Sequence, residues 1–132
     1  MQPEMLGKLR ENLTSPNAPQ NIELIEGDAA ATTLGNESCD LVLMANLWHE
    51  LDDHAASVRE AARILREGGR LAILDWRPDV ACPPGPPLTY RISAEQVEHF
   101  LKAQGWSIEC AGYIGRYSYL VIATAPSKGA AR

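Results

Sequence analysis

The residues best suited to chemistry follow an apolar segment, Asp40–Ala45, in the middle of the chain. Trp48, His49 and Glu50 come just after it. An imidazole titrates near neutral pH, so His49 could orient a substrate or take a proton from it. A structural histidine in a loop gives the same pattern, and both interpretations stand at this stage.

A metal site is the other chemistry that this stretch suggests. His49, Asp52, Asp53 and His54 lie within six positions of one another. However, Asp52 or Asp53 also fits as the N-cap of a following helix, because a carboxylate there accepts from free backbone N–H groups. We therefore predict no metal.

The elements that must position these residues are strands alternating with helices. Helices are predicted at Gln2–Asn12, directly after Asp52 and Asp53, and after the Ser93-x-x-Gln96 capping box. The second of these would run to about Arg66, and Gly68-Gly69 would end it. Strands are predicted at 21–26, 40–45, 70–76, 106–113 and 116–124, the last two joined by a hairpin turn at Ile114-Gly115. This order predicts an α/β fold with a largely parallel sheet.

The segment between the third strand and the last helix is rich in proline. Arg77 to Ile92 holds five of the nine prolines, and we expect a fixed wall or lid there rather than a linker. We predict one domain over residues 1–126 and a flexible tail over 127–132.

Composition narrows the function classes. The 132 residues carry a formal net charge of −5, which argues against nucleic-acid binding. No apolar run approaches the length of a membrane span, and no signal pattern begins the chain. The odd set Cys39, Cys82 and Cys110 suits reduced thiols, so a cytoplasmic protein is expected.

Four ordered segments resemble the class I S-adenosylmethionine-dependent methyltransferases, in particular the type 11-like enzymes related to ubiquinone and menaquinone biosynthesis. The segments are QPEMLGKLRENL, IELIEGDAAATTLGNESCDLVLMANLWHEL, REAARILREGGRLAILDW and ISAEQVEHFLKAQGW. The resemblance implies a partial Rossmann-like sheet with counterparts of strands 3–7 of the family order 3-2-1-4-5-7-6, ending in an antiparallel hairpin. Counterparts of strands 1 and 2 and of the G-x-G-x-G loop do not occur in the sequence, so we predict an N-terminally truncated domain.

The resemblance also implies where S-adenosylmethionine would bind. Asp28 matches the acidic residue that accepts from the adenine amino group, and the backbone of Ala29 would donate to the ring. An Asx turn ending a strand is the simpler interpretation of Gly27-Asp28. Asn46 and Leu47 follow the fourth family strand, where open α/β sheets bind ligands, although a plain strand-to-helix turn is an equal alternative.

Substrate contacts are implied around the same crevice. The resemblance makes His49 the candidate catalytic residue and Trp48, Arg77 and Tyr90 candidate contacts to a small-molecule acceptor, with Arg91 beside them. Exposed residues of a long loop have the same appearance in sequence.

Function follows as an expectation with an alternative. We expect the C-terminal part of a small-molecule methyltransferase, weak or inactive without the glycine-rich loop. The alternative is a non-catalytic homodimeric interaction module derived from one, because the apolar run Leu41–Ala45 would become an open sheet edge and favour dimers. A fragment of a longer reading frame also remains open, and a generic nucleotide-binding domain is disfavoured because no phosphate loop follows a strand.

Overall fold

The fold is built around a mixed four-stranded sheet. The computed structural model describes residues 3–80 and 85–128. Its helices are α1 (Pro3–Asn12), α2 (His54–Ile64) and α3 (Ala94–Ala103), and its strands are β1 (Cys39–Ala45), β2 (Leu65–Trp76), β3 (Ser107–Ile114) and β4 (Ser118–Thr124). Two short 3-10 turns lie at Trp48–Glu50 and Leu88–Tyr90.

The strand order is β1-β2-β4-β3, with β1 and β2 parallel and the other two pairs antiparallel. This reproduces the 4-5-7-6 end of the family order expected from the sequence, including the closing hairpin. The α/β class is therefore confirmed.

One predicted strand does not form. Residues 21–26 contain no strand, and the side chains of Ile22 and Ile25 are 48% and 38% exposed. In the family order the third strand pairs only with the second, and the sequence has no counterpart of the second. The apolar alternation of Asn21–Glu26 therefore has no neighbouring backbone to complete a ladder, and a lone strand is not stable.

The second helix also ends earlier than predicted, at Ile64 rather than near Arg66. The backbone N–H groups of Glu37 and Ser38 donate to the carbonyls of Arg63 and Ile64 at 3.0 and 2.8 Å. Since these carbonyls are taken by another segment, the chain leaves the helix at Leu65 in an extended conformation. Gly68, expected to stop the helix, instead takes a φ of +78° within β2.

The core lies on one face of the sheet. Helices α2 and α3 cover this face, and every second residue of β2 and β4 points into it. Its fully buried members include Leu71, Ile73, Val97, Leu101 and Val121. The predicted capping box of α3 is present, with Ser93 and Gln96 bonding reciprocally.

The opposite face is far less covered at the β1 edge, where Leu41 and Leu43 are 57% and 59% exposed. Within the described ranges, no helix is long and apolar enough to cross a membrane. The predicted tail, 127–132, falls mostly outside these ranges, as do residues 81–84 of the proline-rich segment.

Candidate functional site

The carboxyl ends of β1 and β2 meet at one edge of the sheet, because the two strands are parallel. At this edge the N–H of Asn46 donates to the carbonyl of Leu74 at 2.7 Å. Asn46 has a φ of +55°, a left-handed conformation that asparagine tolerates better than most residues. The reversal turns the chain out of the sheet and into the 3-10 turn that carries His49.

His49 is held by a buried carboxylate that sequence analysis missed. Its Nδ1 lies 2.8 and 3.0 Å from the two oxygens of Asp75, and its backbone N–H donates to Asp75 Oδ2 at 3.0 Å. The side chains of His49 and Asp75 are 8% and 2% exposed. Asp75 also accepts from the N–H of Trp76.

This contact fixes the state of the imidazole. A carboxylate can only accept, so Nδ1 carries a proton and Nε2 of a neutral ring is left as the acceptor. Nε2 lies 3.7 Å from Glu50 Oε1. In this tautomer Nε2 of His49 is the free acceptor of the ring, while Asp75 holds the ring in position. The sequence did contain a sign of this contact, because Asp75 is a charged residue within the apolar run of β2, one position before the strand ends.

Two other residues of the metal cluster that the spacing suggested, and that we did not predict, make structural contacts. Asp53 caps α2 by accepting from the N–H of Ala56 at 3.0 Å. His54 Nε2 lies 2.8 Å from the carbonyl of Trp48, and the rings of these two residues pack at 4.4 Å. The helix-cap interpretation of Asp53 is thus confirmed.

Two of the predicted cofactor residues line one pocket of about 140 Å³ beside β1. Ala29 and Leu47 form part of its wall, with Met44 of β1 and Ala61 of α2. The volume is below the usual range of whole ligand sites, so it suits one ring system of a ligand. Its lining is apolar apart from a few hydroxyl and carboxyl groups.

Asp28 does not line this pocket, but it directly precedes Ala29, which does, and it lies on an exposed turn. Its Oδ1 accepts from the N–H of Ala30 at 2.8 Å, which is the Asx turn expected from the simpler interpretation. A carboxylate has lone pairs for more than one donor. The turn therefore orients Asp28 without exhausting its capacity to bind an amino group.

An ion pair between the nearly buried Glu60 and the partly exposed Arg63 lies on the α2 side of the pocket. Glu60 accepts from Arg63 Nε and Nη2, both at 2.7 Å, and from the N–H of Thr32 at 2.8 Å. Arg63 also donates to Asn36 Oδ1 and to the carbonyl of Leu34. The Arg63 bonds, followed by those from Thr32, lower the pKa of Glu60 from 4.5 to about 2 despite its burial. This pair fastens the 32–36 loop to α2.

The predicted substrate residues do not converge. Trp48 is 2% exposed and belongs to the core, while Tyr90 is 66% exposed. Arg77 stacks on the ring of Tyr113 at 3.6 Å and pairs with Asp79 at 2.8 Å. Arg91 is buried and donates to the carbonyls of Pro86, Arg77 and Val80, which anchors the described part of the proline-rich segment. Substrate contact by Trp48, Arg77 and Tyr90 stays a prediction.

Tyr119 lies opposite Asp75 in the β2–β4 register and is fully buried. Within the described residues its hydroxyl has no hydrogen-bond partner. Burial, with the nearby charges of Asp75 and Glu95, raises the pKa of this phenol. Its hydroxyl is thus a neutral polar group in the core beside the His49–Asp75 pair.

We expect Tyr119→Phe to leave the free energy of unfolding unchanged or to raise it by up to about 1 kcal/mol, since a buried hydroxyl without a partner is unfavourable. Urea unfolding checks this, with Tyr117→Phe on the hairpin turn as the control. A loss above about 1 kcal/mol would show that the hydroxyl is bonded in solution.

Comparison with known proteins bears on the fold described above. Residues 1–73 match the family model described as a methyltransferase domain. An uncharacterized methyltransferase of Mycobacterium bovis and another of Mycobacterium tuberculosis are each 43% identical over 72 residues, which is 54% of this chain and 27% of each relative. The chain thus aligns with about a quarter of the length of these curated relatives.

Solved structures extend the likeness across the whole fold. A SAM-dependent methyltransferase from Aquifex aeolicus superposes with a TM-score of 0.84 at 25% identity, over 93% of this chain and 64% of that one. The [4+2]-cyclase SpnF superposes with a TM-score of 0.74 at 15% identity, over 96% of this chain and 64% of that one. The likeness to SpnF shows the fold alone. Its name, a cyclase, illustrates that one fold serves several reactions.

Proposed function

Because this chain belongs to the methyltransferase domain family, we propose that it forms the C-terminal part of an S-adenosylmethionine-dependent methyltransferase acting on a small-molecule acceptor. The observation that carries the proposal is the pocket shared by Ala29 and Leu47 at the β1 edge. Two segments far apart in sequence meet there, at the positions that the resemblance assigns to the cofactor.

The residues present fit the adenine end of the cofactor. An apolar pocket of one-ring size accepts a flat heterocycle, and the Asp28 carboxylate accepts from its amino group. The resemblance assigns Asn46 and Leu47 to the methionine side, and Leu47 also contributes to the wall of the pocket. The sequence supplies no glycine-rich loop for the rest of the cofactor, so we propose weak binding and weak or absent activity for the isolated chain.

His49 would act on the acceptor. When bound, S-adenosylmethionine supplies an activated methyl group on a sulfonium, so the protein contributes mainly orientation and proton removal. His49 Nε2 accepts the proton of the acceptor while its Nδ1–H stays bonded to Asp75. Asp75 is the positioning residue in this proposal, and His49 the catalytic one.

Calorimetric titration with S-adenosylhomocysteine tests the proposal. We expect a dissociation constant of about 0.1–1 mM, or about 4–5 kcal/mol of binding free energy. Asp28→Ala should weaken binding about tenfold, since a hydrogen bond to a charged group contributes about 1.5–3 kcal/mol. Glu26→Ala, on the same exposed segment, is the matched control and should bind like the wild type.

Absence of heat at several millimolar ligand would contradict the proposal for this chain. Unchanged affinity in Asp28→Ala would remove Asp28 from the site while leaving the family assignment intact. A micromolar dissociation constant would show that the chain binds this ligand firmly without a glycine-rich loop.

A non-catalytic homodimeric module is the second candidate, and one observation favours it. Leu41 and Leu43 of β1 are more than half exposed, as an interaction surface would be. No ligand binding, together with stable self-association, would support this candidate over the enzyme. The cytoplasmic location expected from the cysteines stays part of the proposal for either function.

A further inference from the structure

His49 is a shielded base, and a shielded base needs a route by which a proton taken up at Nε2 can leave again. Its side chain is 8% exposed, and its Nδ1 faces the carboxylate of Asp75, which is 2% exposed. That carboxylate already accepts from the backbone N–H groups of His49 and Trp76. The Asp75 side of the ring therefore offers no path to solvent.

Glu50 is the charged neighbour of the other ring nitrogen. Its Oε1 lies 3.7 Å from Nε2 of His49, and its side chain is 67% exposed. Within residues 3–80 and 85–128, this carboxylate forms no other ion pair or hydrogen bond. One end of the contact is thus shielded by the protein, and the other end is open to water.

The backbone of the 3-10 turn holds the two side chains beside each other. The N–H of Glu50 donates to the carbonyl of Leu47 at 2.9 Å, and the N–H of Leu51 donates to the carbonyl of Trp48 at 3.2 Å. Trp48 is 2% exposed and fixes the turn to the core. A separation of 3.7 Å is longer than a hydrogen bond, but contacts of this kind often tighten when a ligand binds, and one bridging water spans them.

We propose that Glu50 is a relay carboxylate, which carries to water the proton that His49 takes from the acceptor; this inference rests on the proposed function. In the relay step the N–H bond at Nε2 breaks, its electron pair stays on the imidazole, and an O–H bond forms at Glu50. The neutral carboxyl group then gives the proton to water and regains its charge. A carboxylic acid ordinarily holds a proton less firmly than an imidazolium, so the second step is fast. Asp75 positions the ring, and Glu50 empties it.

Proton exchange at His49 tests the relay on the ligand-free chain, by nitrogen-15 relaxation dispersion of labelled histidine. Each variant is measured at the pH where its own His49 is half protonated, so that a change in charge alone does not bias the comparison. Glu50→Gln should slow the exchange about tenfold, less than a positioned acid or base usually contributes, because water also takes the proton. Asp52→Asn is the matched control, since Asp52 is an exposed carboxylate that forms no ion pair with His49 among the described residues. The exposed His99 of α3 serves as the internal reference in every variant.

Added acetate separates a relay from a purely electrostatic effect. In Glu50→Gln it should restore fast exchange at His49, because a free carboxylate takes over the transfer, whereas the wild type should respond little. Equal exchange rates in the wild type and Glu50→Gln would overturn the proposal. So would equal slowing in Asp52→Asn, or slow exchange in Glu50→Gln that acetate leaves unchanged.

The outcome is independent of the ligand titration that tests the proposed function. Failure of the relay would remove Glu50 from the mechanism while the binding of S-adenosylhomocysteine stood as measured. Absence of ligand binding would contradict the methyltransferase proposal, whereas the proton route from His49 to Glu50 would still be present or absent according to the exchange rates.

Discussion

Replacing Asp75 by alanine is expected to lower the free energy of unfolding by about 3 kcal/mol, because the change leaves several buried donors without an acceptor. Asp75 accepts from the backbone N–H groups of His49 and Trp76 and from the His49 ring. With 2% of its side chain exposed, water cannot easily replace these bonds. Urea unfolding at neutral pH measures the loss.

Two further variants separate the contribution of the His49 ring from that of the backbone N–H groups that Asp75 accepts from. Asp75→Asn keeps an acceptor oxygen and should lose about half as much, whereas His49→Ala removes only the ring contact. In a double-mutant cycle, Asp75→Ala and His49→Ala should be strongly non-additive. A change in Asp75→Ala below about 0.5 kcal/mol, typical of a surface site, would show that the His49 geometry does not depend on this carboxylate.

Glu60→Gln is expected to destabilise the protein by about 2 kcal/mol at pH 7, since it removes a charged acceptor from a nearly buried ion pair. The carboxylate of Glu60 joins Arg63 of α2 to the backbone of Thr32. Urea unfolding of both proteins measures the difference, and Glu23→Gln on an exposed segment should have no effect.

The difference should depend on pH in a fixed direction. The pKa of Glu60 is lowered from 4.5 to about 2 in the folded protein. The unfolded chain therefore takes up the proton first, and the stabilisation is complete above about pH 5 and lost as the pH falls towards 2. Between pH 4.5 and 3.5 the wild type should lose about 1 kcal/mol more than Glu60→Gln. A difference that stays constant down to pH 3 would contradict the lowered pKa.

The two predictions concern two contacts that hold different parts of the candidate site. Asp75 holds the candidate catalytic residue His49, and Glu60 fastens the 32–36 loop beside the pocket that Ala29 and Leu47 line. Loss of either contact should therefore disturb ligand binding as well as stability. Comparing binding with unfolding in the same variants distinguishes a local effect from a global one.

Several features could be predicted from the sequence because they depend on local physical chemistry. The helix at Ala94–Ala103 has its start and stop signals in the residues directly beside it, and the predicted capping box of Ser93 forms. The apolar run that becomes β1 and the hairpin of β3 and β4 are equally local patterns. The order of the elements was enough to predict the α/β class, and the resemblance of four ordered segments indicated the family.

Tertiary structure decided what depends on neighbours distant in sequence. Residues 21–26 have the alternation of a strand but no strand to pair with, and α2 ends where residues 37 and 38 take its last carbonyls. The pairing of His49 with Asp75, which are 26 residues apart, could not be derived from either segment alone. A sequence pattern specifies which groups a segment offers, whereas hydrogen bonds between segments depend on which groups the fold brings within about 3 Å.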